Sequence, residues 1–149
     1  MSYNKTLTGN YLNFEKIESI KMRELAKKYL KNRLITGDIA FATARFYIRV
    51  LTRFFQNISK NKETRNSLNE LDRCHIEAYI EFLFEYAANK NLQSTKNFVR
   101  EELKTIRRFL NDIITQNYAI APYQDIRFLI YPQDLPKHEK KNSSQIDYI

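Results

Sequence analysis

The stretch IAFATARFYIRVLTRFFQNIS, residues 39–59, decides how the rest of the chain is read. Tyr47, Val50, Leu51, Phe54 and Ile58 recur at helical intervals, which stacks them along one side of an α-helix. Arg45, Arg49 and Arg53 recur every fourth residue beside that stripe. The segment therefore predicts an amphipathic helix with a core face and a cationic ridge next to it. Just ahead, Thr36-Gly37 closes a preceding helix, with Gly suited to the left-handed cap position, and Asp38 offers an oxygen to the new helix's free amides.

The same logic finds three more helices. Ile17, Ile20, Leu25, Tyr29 and Leu30 recur at helical spacing from Glu15 to about residue 35, among many lysines. A polar loop over residues 60–70 leads to a third helix from about Arg73 to Asn89, with Asp72 as its cap and Ile76, Ile80, Leu83, Phe84 and Ala87 facing inward. Ser94 caps a fourth, from about Thr95 to Asn117, whose inner face is Val99, Leu103, Ile106, Leu110 and Ile113. This helix carries the second ridge: Lys96, Arg100 and Lys104, followed by Arg107 and Arg108. Ala121-Pro122 marks its end. Residues 126–131 read as a short strand or extended segment, and Pro132 and Pro136 keep the chain beyond it out of regular structure.

Two glycines and three prolines in 149 residues leave little to interrupt long helices, so the expected class is all-α. Apolar content of 43% is enough for a packed core in one domain. A single cysteine, Cys74, excludes an internal disulfide framework and suits a reducing cytoplasm; on the third helix it reads as an inert, partly buried thiol. No apolar run is long enough to span a bilayer, and MSYNKTLTGN lacks a secretory signal's hydrophobic core.

Charge is segregated. Residues 38–65 carry six bases and two acids, residues 94–111 five and two, whereas residues 70–90 carry five acids and two bases. Together with a net charge of +8, two basic ridges around an acidic helix suggest one positive face and a polyanionic partner, double-stranded DNA above all. A solvated helix face is the plain alternative for each ridge, but three like charges at i, i+4 and i+8 repel one another, and phosphate relieves that. Thr43, Asn97 and Arg100 are candidates for base edges, although most such contacts go to phosphate and sugar. The DNA-contacting set is thus Thr43, Arg45, Arg49, Arg53, Lys96, Asn97, Arg100, Lys104 and Arg107. About six phosphate contacts give a slope of log K against log salt near roughly −5.

Other features favour plain roles. His75, in a first turn, caps or sits at the surface. Glu77, Glu81 and Glu85 lack a His partner and are solvated rather than metal-binding. Phe46, Tyr47, Phe54, Phe55, Phe82, Phe84 and Phe109 offer stacking surfaces, but their spacing is that of a core. The basic first helix either lies on DNA or docks on a neighbouring protomer.

The order Asp38, Thr43, Tyr47, Leu51, Phe54-Phe55, then Leu71-Asp72 and His75-Ile76-Glu77-Ala78-Tyr79-Ile80, resembles the N-terminal core-binding domain of tyrosine recombinases, the phage-type integrases and related transposases. Leu103, Ile106-Arg107-Arg108-Phe109 and Leu110 are similar to a stretch of that family's fourth helix. Gln133-Asp134-Leu135-Pro136-Lys137 looks like the lead into its catalytic domain. The likeness covers residues 36–137. It implies a four-helix SAM-like bundle with an additional or extended N-terminal helix and an extended C-terminal linker. The divisions would be a flexible arm (1–14), the DNA-binding domain (15–136) and a linker (137–149) toward an absent catalytic domain. It also implies a half-clamp on a recombination half-site, gripping with helices two and four, with DNA, the catalytic domain of the full-length protein and neighbouring protomers as partners. A bacterial or mobile-element source and no cofactor go with it.

The departure is catalytic. That family's arginine pair, lysine, H-x-x-R histidine and tyrosine nucleophile have no counterparts here, since neither His75 nor His138 has Arg at the third position after it. The chain is expected to bind without cutting. The alternative is a basic helical module for an acidic protein or RNA.

Overall fold

The computed structural model describes residues 12–138. Four α-helices form one bundle: α1 (Ile20–Ile35), α2 (Phe41–Ile58), α3 (Arg73–Asn89) and α4 (Thr95–Thr115). Short 3-10 turns at Lys62–Thr64, Ile126–Phe128 and Pro132–Asp134 complete it, and the described residues contain no strand. No described helix is long and apolar enough to cross a membrane.

Caps set the boundaries. Ser19 accepts from the Met22 amide at 3.2 Å and starts α1, five residues later than the apolar spacing suggests. Gly37, at φ +76°, lets the Asp38 amide reach back to the Arg33 carbonyl (2.9 Å) and closes the helix. Asp72 and Ser94 cap α3 and α4 as expected. Asn91 and Asn117, both with positive φ, stop those helices. Asn117 thereby ends α4 ahead of Ala121-Pro122, the expected stop.

Asp38 does not cap α2. The helix starts at Phe41 with Ala40 as its unassisted N-cap, and the Asp38 carboxylate instead accepts from Arg33 Nε (2.8 Å) and Arg108 Nη2 (3.3 Å). Charge-assisted bonds to two guanidiniums outcompete one neutral amide. The Arg33 hydrogen bond holds the Asp38 carboxyl below its ordinary pKa.

The inner stripes of α2 and α4 are buried as their spacing indicates. Their rings interlock edge to face: Tyr29 on Phe109 and Phe54 on Tyr79, each at 5.0 Å between centroids. Other expectations shift. On α3, Tyr79 is fully buried while Phe84 is 38% exposed; on α1, Ile20 is 70% exposed. Ile17 is buried, but ahead of the helix. Leu12 and Phe14, at the end of the expected arm, are buried too. The rest of that arm, residues 1–11, and residues 139–149 of the expected linker lie outside the described residues.

The segment 126–131 is neither strand nor extended. With no neighbouring strand, its backbone groups close local turns: Asp125 caps Ile126–Phe128, and Leu129 and Ile130 turn into the core. Pro132 opens the next 3-10 turn, where its missing N–H is not needed.

Candidate nucleic-acid interface

The α2 ridge is not uniform. Arg53 is turned inward and meets Glu102 of α4 in a two-pronged ion pair, Nε–Oε1 at 3.0 Å and Nη2–Oε2 at 2.7 Å. Glu102 is 1% exposed, and the Arg53 guanidinium lies against the rings of Tyr86 and Phe98 at 5.3 and 5.5 Å. Burial pulls the Arg53 pKa down, but the Glu102 hydrogen bonds and charge outweigh it and the net shift is up. Beside the pair, burial and then the Glu102 charge push the Tyr79 phenol well above its usual pKa, so it stays neutral. Arg53 is a structural group, and its place among the expected DNA contacts is corrected on that geometry.

Arg45 and Arg49, one and two turns earlier, are exposed. They rest over Phe41 and Phe46 at 5.3 and 5.8 Å and make no ion pair with a described residue. Arg49 borders a hollow of about 460 Å³ shared with Asn13, Lys16, Arg53 and Gln56. Thr43 is exposed near the start of the same helix.

The α4 ridge faces another way. Arg100 is half-buried and donates to the Pro136 carbonyl at 3.0 Å, so its flank borders the C-terminal segment. Glu102, which faces α2, follows two residues later, or about 200° around the helix. The two ridges therefore do not merge into the single face that the sequence suggested. Arg53 meets the Glu102 flank of α4, whereas Arg100 lies on the flank that borders the C-terminal segment.

Lys96 and Arg107 share the Arg100 flank by their spacing. Both are exposed and make no ion pair among the described residues. Asn97, half-buried in the first turn of α4, donates its amide to Ser94 Oγ at 3.2 Å. Lys104 is exposed and 3.5 Å from Glu101. Arg107 and Lys104, with Arg108, Asn111 and Ile126, line a second hollow of about 330 Å³. Arg108 is held by Asp112 (3.0 Å) and Asp38 (3.3 Å). Asn111 and Lys16 were not foreseen. Asn111 was legible, standing four residues after Arg107, whereas Lys16 reaches its hollow only through the fold.

Arg73 was also missed as a structural anchor. It holds Asp134 through two bonds, of 2.6 and 2.9 Å, donates to the Leu129 carbonyl at 2.9 Å, and lies 3.8 Å from the centre of the Tyr131 ring. With Arg100 it fastens residues 129–136 to the bundle.

The donors of Asp72, Cys74 and His75 lie within 4.8 Å of one another, but all three are engaged at the start of α3. Asp72 Oδ1 accepts from the Cys74 amide and thiol, His75 Nδ1 accepts from the Asp72 amide, and His75 Nε2 meets Glu63 at 3.1 Å. A helix N-terminus also disfavours a cation. Cys74 is exposed rather than partly buried, and its hydrogen bond to Asp72 raises the thiol pKa, which opposes nucleophilic use. Of the aromatics, Tyr47, Phe54, Phe55 and Phe109 are core, while Phe46 and Phe82 are half-buried. Comparison of the chain with protein-family models, with curated proteins and with solved structures gives no match.

Proposed function

We propose that the chain is a DNA-binding domain that takes duplex DNA across the back of α4, as a core-binding domain of the tyrosine-recombinase kind would. The observation that carries this reading is that Arg45 and Arg49 of α2 and Lys96 and Arg107 of α4 are exposed and make no ion pair among the described residues. An α-helix is about 10–12 Å across with its side chains, and the major groove is about 12 Å wide. With α4 in the groove, its two flanks would meet the phosphates of the two bordering strands. Asn97, Glu101 and Lys104 on the back would then face base edges, where a carboxylate can accept from cytosine N4. Affinity would come mainly from phosphates, and strand cleavage would belong to a separate catalytic domain.

Because Arg53 is paired with Glu102 and Arg100 is half-buried with one N–H on the Pro136 carbonyl, four phosphate contacts are counted rather than six. The slope of log K against log salt is then about −4. Fluorescence anisotropy on a random-sequence duplex tests this. Arg49→Ala/Arg107→Ala should bring the slope to about −2, with the circular dichroism spectrum unchanged. Binding that ignores both substitutions, or no binding at low salt, would refute the assignment.

A further inference from the structure

Charges of opposite sign are left over on two neighbouring surfaces. On α3, Glu77, Glu81 and Glu85 are exposed at i, i+4 and i+8; Glu77 meets Arg73 at 3.1 Å, while Glu81 and Glu85 have no ion pair among the described residues. Phe84, 38% exposed, rises from the same ridge, since it follows Glu77 by seven residues and Glu81 by three. On α4, Arg107 also lacks an ion pair and, with Lys104 and Arg108, surrounds the hollow that Ile126 helps to line. Phe128, 56% exposed, stands two residues further on.

Residues 126–136 lie between these surfaces. Arg73, at the start of α3, holds Leu129 and Asp134, and Arg100 of α4 holds Pro136. The segment is thus fastened to both helices, and the same chain exposes an acidic ridge on α3 and a basic hollow on α4. A surface that exposes both signs can pair with a second copy of itself through a twofold rotation.

We propose that the α3 ridge of a second copy of this chain occupies the basic hollow, and that the exchange is reciprocal. Glu81 and Glu85, one turn or about 6 Å apart, match Lys104 and Arg107–Arg108, which have nearly the same axial spacing. Phe84 covers the apolar ground of Ile126 and Phe128. The carboxylate row stands where a phosphate strand would stand, so duplex DNA and the second copy compete for Arg107. The dimer holds without the DNA reading; only the competition rests on it.

Sedimentation equilibrium of the full chain at about 0.01 M salt, where the Debye length is ~30 Å, tests the pairing. The wild type is expected to rise with concentration from 17.9 kDa toward twice that mass. Glu81→Lys/Glu85→Lys and Lys104→Glu/Arg107→Glu should each weaken association by roughly 10-fold or more, because like charges then face each other. An equimolar mixture of the two variants should regain it, since each reversed surface finds its complement. Both variants keep a net positive charge, starting from +8, so bulk attraction cannot produce that recovery. All four positions are exposed, and circular dichroism checks the fold of each variant. A wild type that stays monomeric, variants that associate like it, or a mixture that fails to recover would each overturn the proposal. Duplex anisotropy separates the two readings: DNA binding retained by Glu81→Lys/Glu85→Lys while its self-association is lost supports the dimer, and a wild type that self-associates without binding duplex strikes only the DNA-binding role.

Discussion

Arg53 and Arg49 are one turn apart on the same helix face and carry the same signal in the sequence, yet they belong to different parts of the molecule. The Arg53 end of the ridge is built into the α2–α4 junction, where Glu102 gives it a buried partner 49 residues away in sequence. The Arg49 end is solvated and rests on the ring of Phe46, with no ion pair among the described residues. A repeat of arginines marks a direction around a helix. What lies in that direction changes along its length, so one ridge can be half scaffold and half surface.

The hardest test of this contrast is Arg53→Ala. It strands the Glu102 carboxylate, which is 1% exposed, without its counter-ion, and should cost about 3–5 kcal/mol in urea unfolding followed by circular dichroism. A loss as small as that of an exposed arginine would erase the distinction between the two ends.

Arg73 extends the comparison to α3. Arg73→Ala should cost about 1.5–3 kcal/mol, the scale of hydrogen bonds to a charged group, and should free residues 129–136. Its partner gives a pH test. Burial raises the Asp134 pKa, but the hydrogen bonds and charge of Arg73 and the Tyr131 amide outweigh it, and the folded value lies below the ordinary one. The stabilisation is therefore complete above the unfolded aspartate pKa, about 3.9, and is lost as pH falls through the lower folded value. NMR shifts of the Leu129 and Leu135 amides should report that loosening in acid, and Asp134→Asn should remove the acid dependence. The smallest effect belongs to Arg49→Ala, expected to change unfolding stability by no more than about 0.5 kcal/mol. A larger change would show that Arg49 has a structural partner after all.

Local features were the readable ones. The α2 and α4 stripes, the left-handed Gly37 and the Asp72 and Ser94 caps involve residues within one or two turns of each other, so the sequence displays cause and effect together. Asp38 misled because its competitors, Arg33 and Arg108, come from two other helices. Tyr79 and Phe84 lie about 140° apart around α3, and only the packing of α2 and α4 against that helix chose between them. The proposed interface was half legible: Arg45, Arg49, Lys96 and Arg107 are exposed as expected, whereas Arg53 is paired with Glu102 and Arg100 gives one N–H to the Pro136 carbonyl.

Four helices, an all-α class and the positive character of α2 and α4 come from the sequence alone, because helical periodicity and capping act over a few residues. Which cations face solvent, and which are drawn into the bundle, came only from tertiary packing. A side chain's partner depends on groups that the fold brings from 30 to 80 positions away, and burial makes an ion pair inside the bundle far costlier to leave unmatched than one in water.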